Sequence, residues 1–305
     1  MSVENSKYIA SMLAMGSARS TLTWPIETYC SIAKEIGCQG LEVVPLHRAT
    51  GDLLHMTSEE LSQTPVPLMG GHVGPNPAEF YKILFHGKDP LRPGERLSPF
   101  FAGFSDIRVG EKMLKKLSAE LGDRFYLVGY PQMDFDGASY GHFDQYLIQT
   151  HPNVFNDLRD PEALIKTVHD SKNVSGIVVD IAHIGEPALV KGQAVYPLGE
   201  KPSELVRSAS TLVESGVVNL LHFQIGRTVK DYKGPAGLES LRLWLNNKQR
   251  GDWTEEIVSQ AKSYGIPIVV EVRFSNLSLA LDKVIPFPTQ VTLMGEIVEK
   301  LKQVA

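Results

Sequence analysis

The sequence predicts an α/β fold, a single (β/α)8 TIM barrel over residues 1–305 with one irregular strand and long βα-loops. Three observations carry that expectation. Apolar, β-branched runs alternate with longer segments of helical period from one end of the chain to the other, and strands separated by helices pair in parallel. No linker or change of composition divides the chain. No G-x-G-x-x-G or G-x-x-x-x-G-K fingerprint follows the first strand, so an open nucleotide-binding sheet has no positive support.

The elements follow in order. KYIASMLAM (7–15) is the first strand, and a helix over 24–37 follows with Thr23 as N-cap and Pro25 in its first turn. GLEVVP (40–45) is the second strand, and VPLMGGHVG (66–74) is a third that runs into a Gly/Pro-rich loop. Pro75, Pro77, Pro90, Pro93 and Pro99 interrupt the next stretch, which offers only a weak strand near FFAGF (100–104). A helix over 110–122 feeds FYLVGYP (125–131), and 132–157 reads as an extended loop with one short helix. Helices over 161–172, 203–216 and 253–265 then feed SGIVVDIAHI, VVNLLHF and IPIVVEVRF, and a helix over 290–304 closes the chain. Gly122, Gly216 and Gly265 stand at helix ends just before strands, as αβ-loops require.

Composition narrows the function classes. A chain that is 43% hydrophobic and 21% charged can bury a large core. A formal net charge of -5 supplies no basic field for tracking a phosphate backbone, so nucleic acid is not the expected partner. Cys30 and Cys38 are expected to be reduced core residues, since two thiols make neither a zinc knuckle nor a disulfide scaffold. The start, MSVENSKYIASM, carries no basic segment followed by an apolar one, and no apolar run approaches the roughly 18 residues of a membrane span. The expectation is therefore a cytoplasmic protein with no membrane partner.

The strand ends hold the chemistry. Side chains alternate along a strand, so Asp180 shares a face with Val178, His222 and Gln224 with Leu220, and Glu271 and Arg273 with Val269. If those faces point into a barrel, two carboxyl groups and an imidazole converge at the end where barrel sites form. Like-charged carboxylates stripped of water repel, and a divalent cation resolves the conflict. Each residue also has a plain reading: Asp180 as a turn former or helix cap, His222 as a hydrogen-bonded core histidine. Glu271 fits such a reading less well, because the acid sits among β-branched neighbours in VVEV.

As an ordered set, GLEVVP, the D-x-x-H of Asp180 and His183, LLHFQ and IVVEV resemble the xylose-isomerase-like barrel superfamily, over residues from about 8 to 275. That group holds sugar isomerases and epimerases, inosose-processing enzymes and metal-dependent apurinic endonucleases. The resemblance implies a metal held by Asp180, His222 and Glu271, with His183 beside it as a substrate-binding group or a partner of a metal ligand. Such an oxygen-rich donor set suits Mn²⁺, Mg²⁺ or Zn²⁺, and Glu271 and His183 are the catalytic candidates. It also places Glu42 and His72 where such proteins carry pocket-lining residues, a structural role being the alternative for both. Members usually present a further metal-binding glutamate at the end of the fifth strand. Counted in order, that strand is FYLVGYPQM, which offers Gly129, Tyr130 and Gln132, unless Asp134 or Asp136 reaches in from the loop.

The expected function is thus a divalent-metal-dependent isomerase, or epimerase, of a sugar, sugar phosphate or related polyol, with a lyase or dehydratase of the same group as the alternative. Arg227 and Arg273 are candidate grips for a substrate phosphate or carboxylate. Trp24 is a candidate pocket wall from the first βα-loop, or else a packing staple. Three rivals stand beside this reading: a barrel that only binds, an endonuclease, and a metal-free enzyme using Glu271 and His222 as acid and base. The absent fifth-strand acid favours the first, and QIGRTVKDYKG after His222 lacks the extra ligands the second would need. The partner expected is a small carbohydrate-like molecule, and barrels of this group often pair as homo-oligomers.

Overall fold

Alternation of apolar strand and amphipathic helix is realised as a closed sheet of eight parallel strands. The computed structural model describes residues 7–12, 15, 23–72, 107–129, 145–150, 160–181, 188–190, 193–195, 202–223, 254–271 and 287–304. The barrel strands are β1 (Tyr8–Ser11), β2 (Gly40–Val43), β3 (Leu68–His72), β4 (Tyr126–Gly129), β5 (Tyr146–Gln149), β6 (Gly176–Asp180), β9 (Val218–Phe223) and β10 (Ile268–Val270). They pair in that order, and β10 returns to β1 through Tyr8↔Ile268 to Ala10↔Val270. Between β6 and β9 an antiparallel hairpin, β7 (Ala188–Val190) with β8 (Gln193–Val195), stands apart from the barrel sheet.

Helices α1 (Ile26–Glu35), α2 (His47–His55), α3 (Ser58–Ser62), α4 (Ile107–Leu121), α5 (Pro161–Asp170), α6 (Pro202–Glu214), α7 (Thr254–Ser263) and α8 (Phe287–Gln303) lie between and after the strands. Their ends show why they stop where they do. Asp160 accepts the Ala163 N–H at 3.0 Å and Pro161 opens α5, while Thr57 and Glu60 form a reciprocal capping box on α3. Two lysines satisfy the carbonyls that a helix leaves unpaired at its C-terminus. The Lys116 ammonium donates to Leu53 O at 2.8 Å, to Leu54 O at 3.3 Å and to Met56 O at the end of α2. Lys262 does the same for α8 through Leu301 O at 3.2 Å, Lys302 O at 3.1 Å and Val304 O. The helices are thereby tied to their neighbours by hydrogen bonds as well as by apolar contact.

Two apolar layers fill the molecule. Outward strand residues pack under the helices, with Tyr29, Cys30, Leu117, Leu212 and Ile297 among the fully enclosed side chains. The barrel lumen holds Ile9, Tyr126, Val128, Leu147, Val178, Leu220 and Val269. Cys30 and Cys38 are free thiols in the outer layer, and burial pushes both up to about 12, so neither is a nucleophile at neutral pH. Among the described residues no helix is long and apolar enough to cross a membrane.

Not every expectation is met or tested. The weak strand near 100–104 lies outside the described residues. The strand that completes the barrel is β5, inside the stretch 132–157 read as a loop, so FYLVG supplies the fourth strand and not the fifth. YLIQ has only four residues, and no segment of helical period leads into it in the sequence, so it lacked the pattern that marked the others. Thr23 does not cap α1. The N-cap is Pro25, which has no cap-forming side chain, and the Ile26 N–H instead donates to Asp52 Oδ2 of α2 at 3.3 Å. Helices α2 and α3 and the β7–β8 hairpin had no counterpart in the sequence reading.

One glycine is fixed by close approach. The ring of Tyr126 lies against Gly70 on the adjacent strand, where any Cβ would overlap it, and the filled lumen leaves the ring little room to move. Gly70→Ala is expected to destabilise the protein by about 1–3 kcal/mol, read as a lower midpoint of urea unfolding. An unchanged midpoint would show that the lumen has slack.

Candidate functional site

Eight parallel strands bring all their C-terminal ends to one mouth, and inward side chains recur every second residue. Below the mouth those positions are apolar; at the last inward position they turn polar. Ile9 is followed by Ser11, Leu147 by Gln149, Val178 by Asp180, Leu220 by His222 and Val269 by Glu271, with Glu42 and His72 completing the set from β2 and β3. All seven polar side chains are buried. The corresponding position after Val128 on β4 lies outside the described residues.

Within this ring Asp180, His222 and Glu271 each offer one ligand atom, and these atoms lie within 4.8 Å of one another. Backbone register sets the grouping. Asp180 and His222 are direct partners across β6 and β9, and the Glu271 N–H donates to Phe223 O at 3.0 Å, carrying the β10 ladder one residue further. The Asp180 N–H is held by Thr150 Oγ1 at 3.1 Å.

His222 bridges two carboxylates. Its Nε2 lies 3.1 Å from Glu42 Oε2 across the lumen, in hydrogen-bond geometry, and its Nδ1 lies 2.9 Å from Glu271 Oε2. The second contact is not aligned as a hydrogen bond, and among the described residues Nδ1 makes none. Burial disfavours charge on the ring, but the Glu42 and Glu271 carboxylates outweigh it and hold the His222 pKa well above 6.5. Beneath them burial, and then the Glu42 charge, raises the Tyr126 phenol well above 10, so it stays neutral.

A second arm of the ring runs through Gln149. Its Nε2 donates to Asp180 Oδ2 at 2.6 Å and its Oε1 stands 2.7 Å from His72 Nε2. The rings of His72 and His222 are 5.8 Å apart. Of the residues singled out in the sequence, Asp180, His222, Glu271 and His72 are therefore brought together. Trp24 packs edge-on against Tyr29, with ring centroids 5.6 Å apart and 61° between planes, at the edge of the outer core layer. His183, Arg227 and Arg273 lie outside the described residues, as do Tyr130, Gln132, Asp134 and Asp136.

The count of strands corrects the fifth position. The fifth strand is β5 and its last inward residue is Gln149, an amide where the sequence reading found Gly129, Tyr130 and Gln132 on FYLVGYPQM. The signal was present in YLIQ, where an apolar inward residue is followed two places on by a polar one, as in VVD, LLH and VVE. Glu42 is more than a wall residue, since it holds the far nitrogen of His222.

The donor set fits a divalent cation. Two carboxylates and one imidazole suit Mn²⁺, Mg²⁺ or Zn²⁺, and a metal-binding histidine commonly donates its other N–H to a carboxylate. Here Glu42 takes Nε2, and Nδ1, 2.9 Å from Glu271 Oε2, is the nitrogen that could serve a cation.

No family model matches the sequence, and no curated protein matches it. Solved structures do match. D-psicose 3-epimerase from Clostridium cellulolyticum H10, determined with D-tagatose, is 12% identical over 98% of this chain and 99% of its own, with a TM-score of 0.51. The probable 3-DHS dehydratase AsbF from Bacillus anthracis is 14% identical over 96% of this chain and 97% of its own, with a TM-score of 0.49. The likeness to the epimerase shows a shared barrel fold, and at that level the resemblance read from the strand ends is borne out.

The electrostatics of His222 can be checked directly. Its folded pKa lies above the unfolded value, so its charge stabilises the metal-free protein fully below about pH 6.5 and progressively less as pH rises through the folded pKa. NMR titration of chelator-treated protein is expected to show His222 still charged well above that range, and Glu42→Gln is expected to bring its pKa down. An ordinary pKa in the unmodified protein would contradict the two-carboxylate arrangement.

Proposed function

We propose that this chain is a divalent-metal-dependent enzyme that moves a proton beside the carbonyl of a small carbohydrate-like substrate, an isomerase of a sugar, sugar phosphate or related polyol. The observation that carries the reading is the charge in the ring. Asp180, His222 and Glu271, all buried, each offer a ligand atom within 4.8 Å of the others, with Glu42 against the far nitrogen of His222, and gathering like-charged carboxylates away from water is costly. A cation bound by Asp180, Glu271 and His222 Nδ1 removes that cost.

When bound, the metal would polarise the substrate carbonyl and the neighbouring hydroxyl and so acidify the C–H between them. The chain's own groups do the rest. Glu42 keeps His222 oriented with Nδ1 toward the ligand set, and Thr150 and Gln149 fix Asp180. Glu271 is assigned as the base that takes the proton and returns it one carbon along. His183, three residues beyond Asp180, is assigned as its substrate-binding partner, and Arg227 and Arg273 as grips for an anionic substituent. The apolar lumen below the ring keeps water from that side of the reaction.

One base on one face suffices for aldose–ketose isomerisation, whereas epimerisation through an enediolate needs an acid and a base on opposite faces. Gln149 cannot accept a proton from carbon and Glu42 is engaged with His222, which supports isomerisation over epimerisation. The shared fold with a D-psicose 3-epimerase makes ketohexoses and their aldose isomers the first substrates to try. The neutral amide of Gln149 also favours one rival, a barrel that binds such a ligand without turning it over.

Elemental analysis of the purified protein is expected to show about one Mn, Mg or Zn per chain. Asp180→Asn and Glu271→Gln are expected to lose that metal, and chelation is expected to abolish turnover of a ketose or aldose. Metal bound without turnover across such a panel would favour the binding protein. Turnover that survives chelation would point to metal-free acid–base chemistry, and no stoichiometric metal in any preparation would overturn the proposal.

A further inference from the structure

Gln149 hydrogen-bonds to two groups of the ring, His72 on β3 and Asp180 on β6, with β4 and its own strand between them. It is 2% exposed and sits two residues above Leu147 on the lumen face. An ionised carboxylate only accepts hydrogen bonds, so the amide must turn its NH₂ to Asp180 Oδ2. The amide oxygen is then forced toward His72, and because an oxygen only accepts, His72 Nε2 must carry the proton. Rotating the amide by half a turn would set oxygen against oxygen at one end and N–H against N–H at the other. One orientation satisfies both ends.

We propose that Gln149 is a positioning residue that fixes the Asp180 carboxylate in its ligand-presenting orientation and selects the Nε2–H tautomer of His72. The Asp180 half rests on the metal-site reading above; the His72 half does not. A neutral amide is what the position requires. A carboxylate there would meet Asp180 at the 2.6 Å now spanned by a hydrogen bond, a like-charge contact that only a proton or a cation relieves. An apolar side chain of similar size would leave both neighbours to other partners.

The test compares the unmodified protein with Gln149→Leu and Gln149→Glu, using Mn²⁺ titration calorimetry and the ¹⁵N NMR pattern of His72 in chelator. Gln149→Leu is expected to weaken Mn²⁺ binding by about 10- to 100-fold and to move His72 away from the Nε2–H pattern. Gln149→Glu keeps an acceptor for His72, so it is expected to retain that pattern. Because it sets a like charge against Asp180, it is also expected to melt lower in chelator and to recover when Mn²⁺ is added. Should Gln149→Leu fail to fold, the Gln149→Glu measurements decide alone. Mn²⁺ affinity within twofold of the unmodified protein in Gln149→Leu, with the His72 pattern unchanged, would overturn the inference. So would a Gln149→Glu protein that melts like the unmodified one in chelator. If the unmodified protein itself binds no Mn²⁺, the metal reading fails, and the His72 pattern in Gln149→Leu alone decides for or against the positioning role.

Discussion

Burying three carboxyl groups around one histidine is the constraint on which the mouth of this barrel is built. Glu42 and Glu271 approach His222 from opposite sides at 3.1 and 2.9 Å, and Asp180 stands beside it in register. All four are at most 1% exposed, so their charge is shielded from bulk solvent. Such a group persists only where the backbone leaves it no alternative. Parallel pairing fixes which residue faces which, and alternation along each strand decides that these side chains enter the lumen.

The rest of the fold keeps that geometry rigid. The lumen beneath the ring is filled by aliphatic side chains and one tyrosine, packed so closely over Gly70 that no Cβ fits. Outside, the helices are fixed by apolar contact and by a few polar ties. Asp52 holds the start of α1, while Lys116 and Lys262 hold the ends of α2 and α8. A site placed on strand ends over a packed core has little freedom to relax, and such preorganisation is what a metal-assisted proton transfer requires.

The same barrel supports many unrelated reactions, so chemistry here is set by the ring and not by the architecture. Two features give it direction. Glu42 occupies the far nitrogen of His222, so Nδ1 is the nitrogen that faces Glu271. Gln149 supplies a neutral donor beside Asp180 where a further acid would have doubled as a proton carrier. Together they are the two features on which the proposed one-base proton transfer rests.

The class of fold and most of the chemistry-bearing residues could be read from local pattern alone. Asp180, His222 and Glu271 were legible because each ends an apolar run of strand period, and such a run admits a charge only where the strand stops. The elements flanked by Gly216 and Gly265 were legible because a glycine with φ of 78° or 71° marks the end of a helix before the next strand. β5 was not legible: four residues without a preceding helical pattern look like any apolar loop segment, and only closure of the sheet shows that a strand must stand there. Nor could spacing reveal the partners of those residues. Glu42 and His222 are 180 residues apart, and His72 and Gln149 are 77 apart. Local pattern decides which way a side chain points, but which others it meets is a property of the closed barrel, because contact across the lumen depends on strand order and register.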